Sequence, residues 1–252
     1  MFGQPSVQNT DFDCGAFTEA LCRLLYVTEQ RAPFVLLTGV EGAGRSTLLK
    51  RLSAGLSEST VLHHLNAAGM TEPGILRQIC QSLAIALAAD ADRSQLMLSA
   101  RDELAGRGMC GQQTVIIIDD LDQAIDNPET VVRFLSAVNS QTDGAVTLIA
   151  VAADGSLPEI ERSSALRVSL NPLPPEDAAR FIAEQFIFQR IDLERVTDEA
   201  WNQMVVFGEG MPGRLSQLCR VASVALTAEP NLTLSADSLH MLAGETLLRR
   251  AG

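Results

Sequence analysis

Three glycines fall within six residues in Thr38-Gly39-Val40-Glu41-Gly42-Ala43-Gly44-Arg45-Ser46-Thr47, between an apolar run and a stretch with helical spacing. Glycines so placed leave backbone N–H groups free to curl round a phosphate chain. A helix that starts directly afterwards points the positive end of its dipole at the same spot. The pattern is that of G-x-x-x-x-G-K-[ST], in which the hydroxyl of Ser46 is placed for Mg²⁺. One position departs, because Arg45 stands where the pattern has lysine. A guanidinium is planar and fork-shaped, whereas an ammonium is a compact point charge. Arg45 therefore keeps a positive charge near the phosphates but does not fit the same narrow slot. The expectation is a nucleotide pocket, and the competing reading is a glycine-rich turn that holds no ligand.

A second stretch, Thr114-Val115-Ile116-Ile117-Ile118-Asp119-Asp120, carries acid chemistry. Its mostly β-branched run suits a central parallel strand buried on both faces. The two carboxylates then lie at its C-terminal end, where ligands gather in open α/β sheets. Asp119 is expected to hold Mg²⁺ through water, and Asp120 to orient the attacking water where a glutamate is usual. Aspartate is one methylene shorter, a reach deficit of ~1.5 Å, and a ~1 Å misplacement can cost ~10²-fold in rate. Asp154, after a later apolar run, stands where a polar γ-phosphate sensor is expected, and an anion serves that task poorly. The adjacent His63 and His64 would point to opposite faces of a strand, with no acidic or thiol partner in sight, so they read as structural.

The elements that must position these groups follow from periodicity. A helix is expected over residues 14–30, a strand before the glycine loop, a helix over 46–56 and a strand over 60–66. Thr71 opens a helix running through Ile75, Ile79, Leu83, Ile85 and Leu87, and another spans 94–105, with Gly106, Gly108 and Gly111 in the loop beyond. An amphipathic helix over 128–139, a strand over 145–151 and a short strand over 167–170 complete an α/β core. Asn171-Pro172-Leu173-Pro174-Pro175 then breaks the chain, and only helical patterns follow, the last ending at Arg249 and Arg250. The organisation expected is a leader and helix over 1–31, a core over 32–171 and an all-α lid over 172–252.

Composition narrows the class. The 252 residues carry a net charge of −12, Lys50 is the only lysine, and no basic face is evident. Nucleic acid is therefore an unlikely partner by the charge criterion. Five scattered cysteines without a C-x-x-C pair suggest neither zinc nor a disulfide framework. No apolar run approaches ~20 residues and the N-terminus lacks a basic-then-apolar signal, so a reducing cytoplasm is expected.

The run TEALCRLLYVTEQRAPFVLLTGVEGAGRSTLLKRL, together with LNPLPPEDAARFIAEQF and GEGMPGRLSQLCRVASVAL, resembles the AAA+ ATPases of the ExeA/GspA type from bacterial general secretion systems. Transposition regulators of the TnsC/TniB sort share most of these features. The resemblance implies an α/β P-loop NTPase fold with a five-stranded parallel sheet, a C-terminal helical lid, and ATP or ADP with Mg²⁺ as cofactors. Carried over by position, Gly39, Gly42, Ala43, Gly44, Arg45, Ser46 and Thr47 form the phosphate loop (Walker A). Asp119 and Asp120 are the Walker B acids, and Arg214 is the lid arginine that contacts the γ-phosphate. Arg162 or Arg167 is the finger offered to a neighbouring subunit of a homo-oligomeric ring or filament. Full ExeA-type proteins continue into a membrane span and a periplasmic region; the expectation here is a chain without them, with any membrane link indirect, from the cytoplasmic side of the inner membrane.

The departures at Arg45, Asp120 and Asp154 all fall on catalytic positions. The expected function is thus a slow, oligomerising ATPase that powers or gates assembly of a secretion or pilus-type apparatus. Its alternatives are a non-hydrolysing scaffold acting through protein contacts and, less favoured by charge, a DNA-associated regulator.

Overall fold

The structure, a computed structural model, describes residues 15–247. The expected leader over 1–13 and the Arg249-Arg250 end lie outside the described residues. Five strands, β1 (Phe34–Gly39), β2 (Thr60–Asn66), β3 (Gln113–Asp119), β4 (Val146–Ala152) and β5 (Leu166–Leu170), form one parallel sheet in the order β2-β3-β4-β1-β5. The three central strands are buried almost end to end, and the edge strands β2 and β5 are only partly so. That difference is why β1, β3 and β4 read as continuous apolar runs.

Helices cover the sheet: α1 (Gly15–Glu29), α2 (Arg45–Gly55), α3 (Glu72–Ser82), α4 (Arg93–Met109), α5 (Pro128–Gln141) and the short α6 (Pro158–Ser163). Ile75, Ile79, Leu96, Leu104 and Leu135 pack with Leu36, Ile116, Ile118 and Leu148 of the strands in one apolar core. Local chemistry fixes the starts. Thr71 caps α3 by accepting from the Gly74 N–H, and Asp92 with Gln95 closes a capping box on α4.

Two expectations are corrected here. The helix from Thr71 stops at Ser82, because Ala84 takes a left-handed backbone (φ 61°) that no helix continues through, so Ile85 and Leu87 lie beyond it. The next helix runs on to Met109 and contains Gly106 and Gly108. Packing keeps Gly108 small: a Cβ there would lie 2.5 Å from the Cβ of Ala145. Before β5, Pro158 starts the short α6.

Beyond Leu170 the chain is helical: α7 (Pro175–Phe188), α8 (Asp198–Gly208), α9 (Pro212–Ala228) and α10 (Ala236–Leu247). Two compact units emerge. One comprises Ala16–Glu41 and Leu48–Leu170, and the other includes Gly42–Thr47 with Asn171–Gly252. Within the second, Gly210 (φ 67°) accepts from the Leu173 N–H at 2.7 Å, tying the proline-rich segment to the turn between α8 and α9. Any side chain at 210 would meet the Leu173 carbonyl at 2.3 Å.

Candidate functional site

The glycine loop runs from the end of β1 to the start of α2 at Arg45. Gly42 (φ 84°) and Gly44 (φ 99°) both take left-handed backbone, which L side chains rarely adopt, and this turns successive N–H groups inward. Ala43 between them is buried, Arg45 and Thr47 are half-buried, and Ser46 is exposed. The loop also carries a partner from the helical segment. The Gly213 N–H, in the first turn of α9, donates to the Gly42 carbonyl at 3.0 Å. A Cβ at 213 would sit 3.2 Å from the Gly42 Cα, so glycine permits this approach.

The acid pair stands where β3 ends. Asp119 is its last residue, and Asp120 follows in a left-handed conformation (φ 51°, ψ 41°). The Asp120 N–H donates to Asp119 Oδ1 at 3.0 Å, which helps hold that uncommon backbone. From the end of β2, Asn66 Nδ2 donates to Asp120 Oδ2 at 2.9 Å, while Asn66 Oδ1 accepts from the Ala68 N–H at 2.8 Å. Both ends of the amide are thus used, and the Asp120 carboxylate is held from the neighbouring strand. Because every strand is parallel, β1 and β3 end at the same edge of the sheet.

Asn66 escaped the sequence reading. Its partner is 54 residues away, and the only signal was a polar amide ending a half-buried strand. The histidines also need revision. His63 meets Arg107 of α4 (3.4 Å), and burial followed by that positive charge pushes its pKa down. His64 does have an acidic neighbour, since its Nε2 lies 3.7 Å from Asp119 Oδ2. Among the described residues no group of three or more His, Cys, Asp or Glu side chains is arranged to hold a metal.

The three candidate arginines outside the loop are each paired. Arg214, next to Gly213, pairs with Glu209 at 2.5 Å. Arg162 pairs along α6 with Glu159 at 2.7 Å. Arg167 is clamped between Asp154 and Glu161, and Glu161 also accepts from the Gly155 N–H. Asp154 therefore carries its own counter-ion. No helix among the described residues is long and apolar enough to cross a membrane.

A family model described as "AAA domain" matches residues 28–154, half of the chain. General secretion pathway protein A of Aeromonas hydrophila is 24% identical over 220 residues, covering 83% of this chain and 40% of that protein. The chain thus spans about two fifths of the length of this curated relative. Among solved structures, Cdc6p from Pyrobaculum aerophilum superposes with a TM-score of 0.73 at 12% identity, covering 96% of this chain and 69% of its own. The Aeropyrum pernix ORC1 protein, solved in complex with DNA, gives 0.71 at 14% identity, covering 95% and 68%. At such identities the likeness establishes the fold. It also corrects the expectation that nucleic acid is an unlikely partner, because this fold occurs in a protein solved on DNA. Net charge is a sum over the whole chain, whereas contact with a duplex depends on the local surface.

Proposed function

The chain belongs to the AAA domain family, and from that premise we propose that it is a nucleotide-driven assembly protein. It binds ATP and ADP with Mg²⁺, hydrolyses ATP slowly, and works as several copies of itself. The observation that carries this reading is the loop of Gly39 to Thr47, with its two left-handed glycines and a helix opening at Arg45. Such a loop offers backbone N–H groups and a helix N-terminus to a phosphate chain. Ser46 and Asp119 supply hydroxyl and carboxylate oxygens, the hard donors that Mg²⁺ takes. The metal would neutralise charge on the phosphate oxygens. Asp120, oriented by Asn66, accepts a proton from and aligns the attacking water. Slowness follows from a guanidinium at Arg45 in place of an ammonium and from the short reach of Asp120.

Likeness to General secretion pathway protein A supports work on a secretion or pilus-type apparatus. A second reading, action on nucleic acid, is favoured by the ORC1 protein solved with DNA. One experiment separates them. Sedimentation of the chain with Mg²⁺ and a non-hydrolysable ATP analogue is expected to show assemblies absent without nucleotide. A monomer under both conditions refutes the assembly reading. Adding a fluorescent DNA duplex across a salt series tests the second: binding that weakens steeply with salt supports it, and none at low salt refutes it.

A further inference from the structure

The first turn of α9 carries two adjacent features: Gly213, whose N–H is on the Gly42 carbonyl of the phosphate loop, and Arg214, whose guanidinium is on Glu209. We propose that Glu209 is the resting counter-ion of Arg214 and that an incoming nucleoside triphosphate displaces it, so that Glu209 holds down the preference for triphosphate over diphosphate. The proposal rests on the reading of the loop as a nucleotide site and names a residue which that reading does not use.

Four observations support it. Backbone contact with Gly42 places the start of α9 at the loop, so Arg214 is a cation one residue from the phosphate cradle. Its partner comes from the same short turn, since Glu209 is the residue after α8. Both side chains are largely exposed, at 47% and 63%, and an exposed pair is worth little, so a phosphate oxygen can replace the carboxylate cheaply. Lastly, Glu209 sits in left-handed backbone (φ 48°), an uncommon place for a residue with a side chain. The turn around it is tightly determined: the Glu209 N–H donates to Val206, the Met211 N–H donates to Gly208, and the Gly210 carbonyl accepts from Leu173. When Arg214 leaves Glu209, the change is felt at a turn bonded to both the phosphate loop and the proline-rich segment, which gives nucleotide state a route into the helical segment.

The competition is electrostatic and predicts an ordering. A triphosphate carries more charge than a diphosphate, so removing Glu209's charge favours it more. In calorimetric titrations of the full chain, Glu209→Gln is expected to bind the Mg²⁺ complex of a non-hydrolysable ATP analogue two- to fivefold tighter than wild type, with ADP changed less than twofold, the scale of an exposed ion pair. In an Arg214→Gln background the same change should have no effect. Glu209→Gly, which suits the left-handed backbone, guards against a folding artefact and should reproduce the gain. Unchanged analogue affinity in both Glu209 variants, an equal gain for ADP, or a gain that persists without Arg214 overturns the proposal while leaving the nucleotide site intact. Failure of wild type to bind either nucleotide overturns the site reading, and the proposal with it.

Discussion

Replacing Asn66 by alanine should separate hydrolysis from binding. The amide donates to Asp120 Oδ2 at 2.9 Å and is itself fixed by the Ala68 N–H at 2.8 Å, so its loss removes one of the bonds that orient the carboxylate. Asn66 is exposed, and the stability cost of losing one hydrogen bond there is about 1 kcal/mol or less. For a chain of this size that moves Tm by only about 2–4 °C. The effect on rate is larger. Asp120 already reaches less far than a glutamate, and a further shift of ~1 Å in a water-orienting group costs on the order of 10²-fold. Phosphate release under saturating Mg-ATP should therefore fall about 10- to 100-fold in Asn66→Ala, with KM changed less than threefold. Asn66→Asp keeps the shape but sets a second carboxylate beside the first, and should be at least as slow. Unchanged phosphate release in both variants would refute the positioning role, and so would a loss carried mainly by KM.

Other consequences follow from packing and charge. Gly108→Ala places a Cβ 2.5 Å from that of Ala145 and should destabilise by about 1–3 kcal/mol, with partial recovery in the Gly108→Ala, Ala145→Gly pair on thermal melts. His63 has its pKa lowered from 6.5 by burial and then by Arg107, so the unfolded chain takes up this proton more readily than the folded one. Stability should be full above pH 6.5 and decline as pH falls below it, and His63→Gln should flatten the decline in melts from pH 7.5 to 5.5. Burial pushes Cys80 up and Cys219 to about 12, whereas Cys22 and Cys110 are exposed. Peptide mapping after brief alkylation of native protein should find Cys22 and Cys110 modified, and Cys80 and Cys219 modified only after unfolding.

Much of the fold was legible because the central strands β1, β3 and β4 are buried on both faces and so appear as uninterrupted apolar runs. The loop was legible because glycines at Gly42 and Gly44 are what left-handed backbone asks for. Elements governed by distant contact were not. Gly108 lies inside α4 because a tertiary neighbour, Ala145, leaves no room for a side chain, and locally it looks like a helix breaker. The six-residue α6 is too short to show periodicity. Asn66 and the clamp of Asp154, Arg167 and Glu161 exist only once parallel pairing brings strand ends together. Chain spacing carries no record of such meetings.

The most direct test of the account is phosphate release and Mg-ATP binding by wild type beside Arg45→Lys and Asp119→Ala. Wild type should bind Mg-ATP and release phosphate slowly, lysine at 45 should speed release, and alanine at 119 should abolish it. If neither wild type nor Arg45→Lys binds nucleotide, the loop holds no phosphate and the account fails.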